Sequence, residues 1–367
     1  MQPDPALAQR LHNEAIALVR SRRPAEARVG LLAAIRSAGE AAVDPRTLKA
    51  LWQLARNEGD WKTALAAGMR AAVRDPLDFR FVDTVVRGLH ECPLEVLVPD
   101  MGSAVMPMPV HPPSLSVVIV SQDDARYAAV DAQFDEAFAV WPHERIRVKG
   151  ATSMYDGYAQ GFARSRGEIV AFAHDDIRFA IPDFAARLTD VMAHADIAGV
   201  AGATLVSGPA LLWPGHPHLH GAITHKAPGD TACEFAVTSL RGPRIEGAQG
   251  LDGVFIAGRR DWVERVGFDP RGIPGFHFYD LDFSYRAFLA GARVAIACDL
   301  ALIHASRGNF DTAWGDARSA FSVKHPQLDA APGTHRHWYA IALADEASVR
   351  AHYAKLLAAW ALALPVD

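Results

Sequence analysis

Ile169-Val-Ala-Phe-Ala-His-Asp-Asp-Ile-Arg-Phe179 decides how the rest of the chain is read. An apolar run from Ile169 to Ala173 stops at His174-Asp175-Asp176, and Ile177 and Phe179 resume it. Bounded by Arg166-Gly167 and Ile181-Pro182, so short a run predicts a buried strand. Open α/β sheets hold their ligands in the crevice beyond the carboxyl ends of the strands. Two adjacent carboxylates at that point repel each other, and burial adds a desolvation cost. A divalent cation relieves both, and oxygen ligands with substrate phosphates suit Mg²⁺ or Mn²⁺. A solvated Asp-Asp turn is the other reading of the same residues, and the rest of the chain has to choose.

Upstream, Leu115-Ser-Val-Val-Ile-Val120 is almost purely β-branched and ends at Ser121-Gln-Asp-Asp124. It predicts the first strand of a parallel sheet buried on both faces. A helix over 126–140, a strand over 145–149 and a helix over 154–165 lead into the opening stretch. That order is the α/β signature. A nucleotide would then lie above the strand ends, against 121–124 and 174–176. The chain has neither G-x-x-x-x-G-K-[ST] nor a G-x-G-x-x-G after a strand, which argues against a phosphate-loop ATPase and a standard nicotinamide site. Downstream, a helix over 184–195 and a strand over 197–204 are expected. From Ser207 to Gly250 the pattern loosens, with His216, His218, His220 and His225 among glycines and prolines. Alternate spacing with prolines does not present tetrahedral zinc ligands, and a mobile loop near the substrate is the expectation. A turn into a strand over 251–259 follows, then a helix from Gly275 to Ala290 with Asp280 and Asp282 near its start. A strand over 293–298 leads to Leu302-Ile-His304. Helices over 312–325 and 346–364, with a loop at His335-Arg-His-Trp338, close the chain.

The 367 residues suggest two domains, and with half of them hydrophobic the chain is core-forming. A formal charge of −5 argues against nucleic acid as the main partner. Three cysteines without metal spacing fit a reducing compartment. With no signal-peptide pattern and no run long enough to span a bilayer, the cytoplasm is the expected location. Before the core, residues 1–98 read as helices. Trp52, Gly59, Trp61, Ala64, Ala72 and Pro76 resemble a tetratricopeptide repeat, with a weaker copy in Ala15 to Ile35. That resemblance implies a surface for a protein acceptor or a second subunit; a helical packing domain is the plain alternative. Proline crowds residues 99–113, which reads as a linker.

Taken in order, the motifs over 114–310 resemble the inverting, metal-dependent glycosyltransferases of family 2, in the branch with His-Asp-Asp as its metal motif. Val117 to Val120 with Gln122-Asp123, Met154-Tyr-Asp-Gly157 with Gly161 and Arg164, His174-Asp175-Asp176, Leu251-Asp252-Gly253, Phe278-Tyr-Asp-Leu-Asp282 with Arg286, and His304 carry it. The resemblance implies a GT-A (Rossmann-like) transferase domain behind a small all-helical one, with 311–367 as a helical extension. It implies a nucleoside diphosphate sugar as donor, a UDP-sugar first, and a glycan or protein acceptor. By the same resemblance Asp280 is the general base, and Asp176 and His304 hold Mn²⁺ or Mg²⁺. Asp175 lies near the ribose or metal. Ser121, Asp123, Asp156 and Arg164 line the nucleotide site, and Asp252 faces the donor sugar or acceptor. Where Phe278-Tyr279 stand, many relatives carry a glutamate, which leaves Asp282 as the rival base. The rival function is a non-catalytic interaction protein carrying a degenerate transferase domain.

Overall fold

The computed structural model describes residues 3–39, 42–99, 105–207, 214–227, 229–237, 239–269, 273–308, 310–328 and 339–366. The chain divides into two compact units, Met1–Ala104 with Ala354–Asp367, and Val105–Tyr353.

The first unit is helical: α1 (Pro5–Arg20), α2 (Pro24–Ala38), α3 (Pro45–Asn57), α4 (Trp61–Arg74), α5 (Phe79–Glu91) and the single turn α6 (Leu94–Leu97). Proline opens α1, α2 and α3, at a position where its missing N–H has no helical partner to lose. Asp4, Asp44, Asp60 and Asp78 cap α1, α3, α4 and α5, each accepting a backbone N–H left over at the helix start. α1 packs on α2 and α3 on α4, and wholly buried Ala27 and Ala64 let the helices approach closely.

The second unit opens with β1 (Leu115–Val120), α7 (Asp124–Ala137), β2 (His143–Val148), α8 (Met154–Arg164) and β3 (Ile169–Ala173). β1 pairs in parallel with β2 and β3, as the β-branched runs predict. His174-Asp175-Asp176 then carries the chain out of this sheet into β4 (Ile177–Phe179). Phe179 fixes the crossing, packing on Phe134 and Phe184 with ring centroids 5.0 and 4.4 Å apart. Such aromatic pairs contribute about 0.5–1.5 kcal/mol each beyond their buried area.

There follow α9 (Phe184–His194), β5 (Ile197–Gly199), β6 (Ala201–Ala203), β7 (Leu219–His225), β8 (Cys233–Val237), β9 (Arg244–Glu246), β10 (Gly250–Leu251) and β11 (Phe255–Arg259). The chain continues through α10 (Arg260–Val266), α11 (Tyr279–Leu289), β12 (Val294–Ala297), β13 (Leu302–His304), α12 (Thr312–Lys324), β14 (Tyr339–Leu343) and α13 (Glu346–Trp360). Among the described residues the first sheet runs β2-β1-β3-β11-β5-β12-β9. The second runs β10-β6-β7-β13-β4, with β8 on β7 and β14 on β8.

Several expectations change. The run 197–204 is not one strand: the chain leaves the first sheet at Val200, so β5 pairs with β11 and β12 while β6 pairs with β7 and β10. The segment expected as a mobile loop contains β7, β8 and β9, which pair with the later strands β13, β14 and β12. Its residues 208–213 lie outside the described residues, as does the expected loop at 335–338. The tail is not purely helical, since β14 pairs with β8. The helix carrying Asp280 and Asp282 starts at Tyr279 rather than Gly275, after Phe278 takes a left-handed conformation at φ 62°.

Candidate active site and metal centre

The crossing from β3 to β4 places three chemically active residues where two sheets diverge. β13 runs beside β4 in antiparallel register, His304 opposite Ile177, and the Ala305 N–H donates to the Asp176 carbonyl at 2.9 Å. His304 Nε2 therefore lies 3.3 Å from Asp176 Oδ1 although 128 residues separate them in number (304 − 176). His174 Nδ1 is 3.3 Å from His304 Nε2 and 3.9 Å from Asp176 Oδ1. One ligand atom from each of His174, Asp176 and His304 lies within 4.8 Å of the others. This is the spacing of donors around one shared cation. Burial raises the Asp176 carboxyl, but its hydrogen bond to His304 and the neighbouring imidazoles outweigh that and bring it to about 2. Burial and then His304 lower His174, so its imidazole is neutral near pH 7 and has a lone pair to offer. His225 stands opposite His304 on β7 and hydrogen-bonds through Nδ1 to the Ser306 carbonyl at 2.9 Å.

The turn between β10 and β11 supplies the other half of the site. Gly253 N–H donates to Asp280 Oδ2 at 2.7 Å, and the Tyr279 hydroxyl donates to the Gly253 carbonyl at 3.3 Å. A Cβ at position 253 would overlap both the Tyr279 hydroxyl and Asp280, so only glycine fits between them. Asp280 is half-buried. Burial first, and then the charge of Asp252, push its carboxyl up to about 7. A carboxylate so poised accepts protons well at neutral pH.

Asp282 faces the other way. It is fully buried and accepts from Arg286 Nε at 2.9 Å, Lys324 Nζ at 3.0 Å and His325 at 2.9 Å. Burial alone would raise it, but the His325 hydrogen bond and the charges of Arg286 and Lys324 hold it below the usual carboxylate range. It pins α11 to the end of α12.

The remaining expected residues divide. Ser121 Oγ donates to Asp175 Oδ2 at 2.7 Å, joining the ends of β1 and β3 beside the His174–Asp176–His304 cluster, and Arg126 lies 3.6 Å from Asp175. Asp252 joins Asp280 through its field. Asp123 is an exposed cap for α7, taking the Ala125 and Arg126 N–H groups. Asp156 is held by Thr152 and Gln160 in the first turn of α8. Gly157 lies on Val120 and Gly161 on Val118, so α8 runs back along β1. Arg164, the last residue of α8, donates to the Arg147 carbonyl at 2.6 Å, and Arg147 stands opposite Ile119 near the carboxyl ends of β1 and β2. His174, Gly253 and Tyr279 were not given roles from the sequence. All three stood inside quoted motifs, His174-Asp175-Asp176, Leu251-Asp252-Gly253 and Phe278-Tyr-Asp-Leu-Asp282, which gave no hint of what each would touch.

Comparison with known proteins adds the family. A model described as glycosyltransferase-like family matches residues 117–324. Among curated proteins no sequence matches. Solved structures give loose likenesses. The Pyrobaculum calidifontis mannosyltransferase in complex with GDP-Man and Mn²⁺ is 13% identical over 81% of this chain and 81% of that one, at a TM-score of 0.39. S. aureus TarS 1-349 is 12% identical over 67% and 70%, at 0.34. GalNAc-T7 with UDP, GalNAc and Mn²⁺ is 12% identical over 62% and 53%, at 0.33. None is close enough to carry a residue's role across.

Proposed function

The chain belongs to the glycosyltransferase-like family, and from that premise we propose an inverting, metal-dependent transferase. It moves a sugar from a nucleoside diphosphate sugar, a UDP-sugar first, to a hydroxyl of a glycan or protein. The observation that carries this reading is the meeting of two half-sites. The His174–Asp176–His304 cluster lies on one side, and Asp280, raised to about 7, on the other. His174 Nε2, 2.7 Å from the Tyr279 hydroxyl, links them.

The donor set fits a divalent cation. Two imidazoles and one carboxylate suit Mn²⁺ better than Mg²⁺, which prefers oxygen alone. Bound there, the cation supplies charge for the departing diphosphate. Asp280 takes the proton of the acceptor hydroxyl as its oxygen attacks the anomeric carbon. The bond to the diphosphate breaks on the opposite face, and its electron pair leaves with the nucleotide. Inversion follows from that single displacement. Proton NMR of the first product formed should show the anomeric configuration opposite to the donor's; retention would contradict the mechanism.

The base also sets a pH dependence. Asp280 works ionised, so turnover should fall about ten-fold per pH unit below its pKa. Its raised value comes partly from Asp252, so Asp252→Asn should move this acid limb to lower pH. A limb unmoved by that substitution would assign the titration to another group.

We assign tetratricopeptide-like acceptor docking to residues 1–98, supported by the paired helices α1/α2 and α3/α4. Among the described residues no helix is long and apolar enough to cross a membrane. Deleting 1–98 should abolish transfer to a macromolecular acceptor while slow donor hydrolysis continues. Insoluble protein after the deletion would make these helices packing partners only.

A further inference from the structure

Tyr279 stands between the two half-sites, and its hydrogen bonds constrain where the protons of His174 sit. The Gly253 carbonyl can only accept, and it lies 3.3 Å from the Tyr279 hydroxyl. His174 Nε2 lies 2.7 Å from the same oxygen, and His174 Nδ1 faces Asp176 and His304. A neutral imidazole carries one proton, on one nitrogen or the other. With that proton on Nε2, His174 donates to the Tyr279 oxygen, Tyr279 donates to Gly253, and Nδ1 turns a lone pair towards Asp176 and His304. Both of these donors then have an acceptor. With the proton on Nδ1, an N–H would point into the cluster of ligand atoms and His174 would offer nothing to a cation.

We propose that Tyr279 is a positioning residue that fixes His174 in its Nε2–H tautomer and so completes the metal site. This rests on the metal-dependent reading above and adds a residue with no metal contact of its own. It also explains why one glycine serves both halves. The Gly253 carbonyl anchors the chain Tyr279–His174, while its N–H holds Asp280, the next residue after Tyr279. The orientation of a metal ligand and the placement of the base thus share one residue. Partners of this outer kind, donors or acceptors to a ligand's far nitrogen, typically set metal affinity by about 10- to 100-fold.

The test is Mn²⁺ binding by the full chain, read from loss of the free-ion EPR signal, with no turnover needed. Tyr279→Phe should weaken binding roughly 10- to 100-fold. His174→Ala should weaken it too, and adding Tyr279→Phe to His174→Ala should change nothing further, because Tyr279 acts through His174. A merely structural tyrosine would weaken binding equally in both backgrounds. Should Tyr279→Phe fold poorly, two-bond ¹H–¹⁵N correlation on the wild type reads the His174 tautomer directly, and Nδ1–H would overturn the proposal. Wild-type protein that binds no Mn²⁺ overturns the metal reading and this one with it. Wild-type binding that Tyr279→Phe leaves unchanged overturns this one alone.

Discussion

Asp280→Asn is expected to lower turnover by roughly 10²–10⁴-fold, the usual worth of a positioned general base. The amide is nearly isosteric and can still accept from the Gly253 N–H, so folding and donor affinity should survive. It cannot take a proton from an incoming hydroxyl. Asp282→Asn is the contrast. That carboxylate is fully buried beneath Arg286, Lys324 and His325, and it has no face left for a substrate. Losing its charge weakens three charge-assisted hydrogen bonds, and roughly 2 kcal/mol of stability should go with them. The two variants should therefore separate, one in rate at an unchanged melting temperature, the other in melting temperature. Turnover lost at 282 and kept at 280 would exchange their roles.

Asp176→Ala carries the other large effect. Asp176 is the cluster's carboxylate, held ionised down to about pH 2, and it supplies a negative charge that no imidazole can. Without it the cluster loses a ligand and its one carboxylate. A cation stabilising a leaving diphosphate is worth several kcal/mol, so turnover should fall about 10³-fold or more. Metal-dependent nucleotide binding should vanish in the same variant, measured by titration of UDP with and without Mn²⁺. A variant that keeps both would remove Asp176 from the metal site.

The parts of this site that could be read in the sequence were those with a local signature. β1 and β3 were legible because continuous β-branched runs end abruptly in polar residues, and the ends of such strands are where ligands collect. Asp176 and Asp280 lie just beyond such an end and in the first turn of a patterned helix. The division of 197–204 between two sheets was not legible, because an apolar run does not say which partner it meets. β7 was hidden by its Gly and His content, and β8 and β14 pair across a hundred residues. His174 was visible as a letter of the motif, but its ligand atom depends on the chain crossing between sheets. Tyr279 was visible only as a departure from the motif, with nothing to say what it meets. Its partner lies 105 residues away, and only the closure of α11 on the β10–β11 turn brings the two together.

The central claim, a metal-dependent transferase using a nucleoside diphosphate sugar, meets its most direct test in nucleotide release. Full-length protein would be incubated with UDP-sugars and then GDP-sugars, and the free diphosphate counted with Mn²⁺, with EDTA, and with Mn²⁺ restored. Release from at least one donor, stopped by EDTA and recovered with Mn²⁺, is the predicted result. Release that EDTA leaves untouched, or none from any donor in the presence of Mn²⁺, would contradict it.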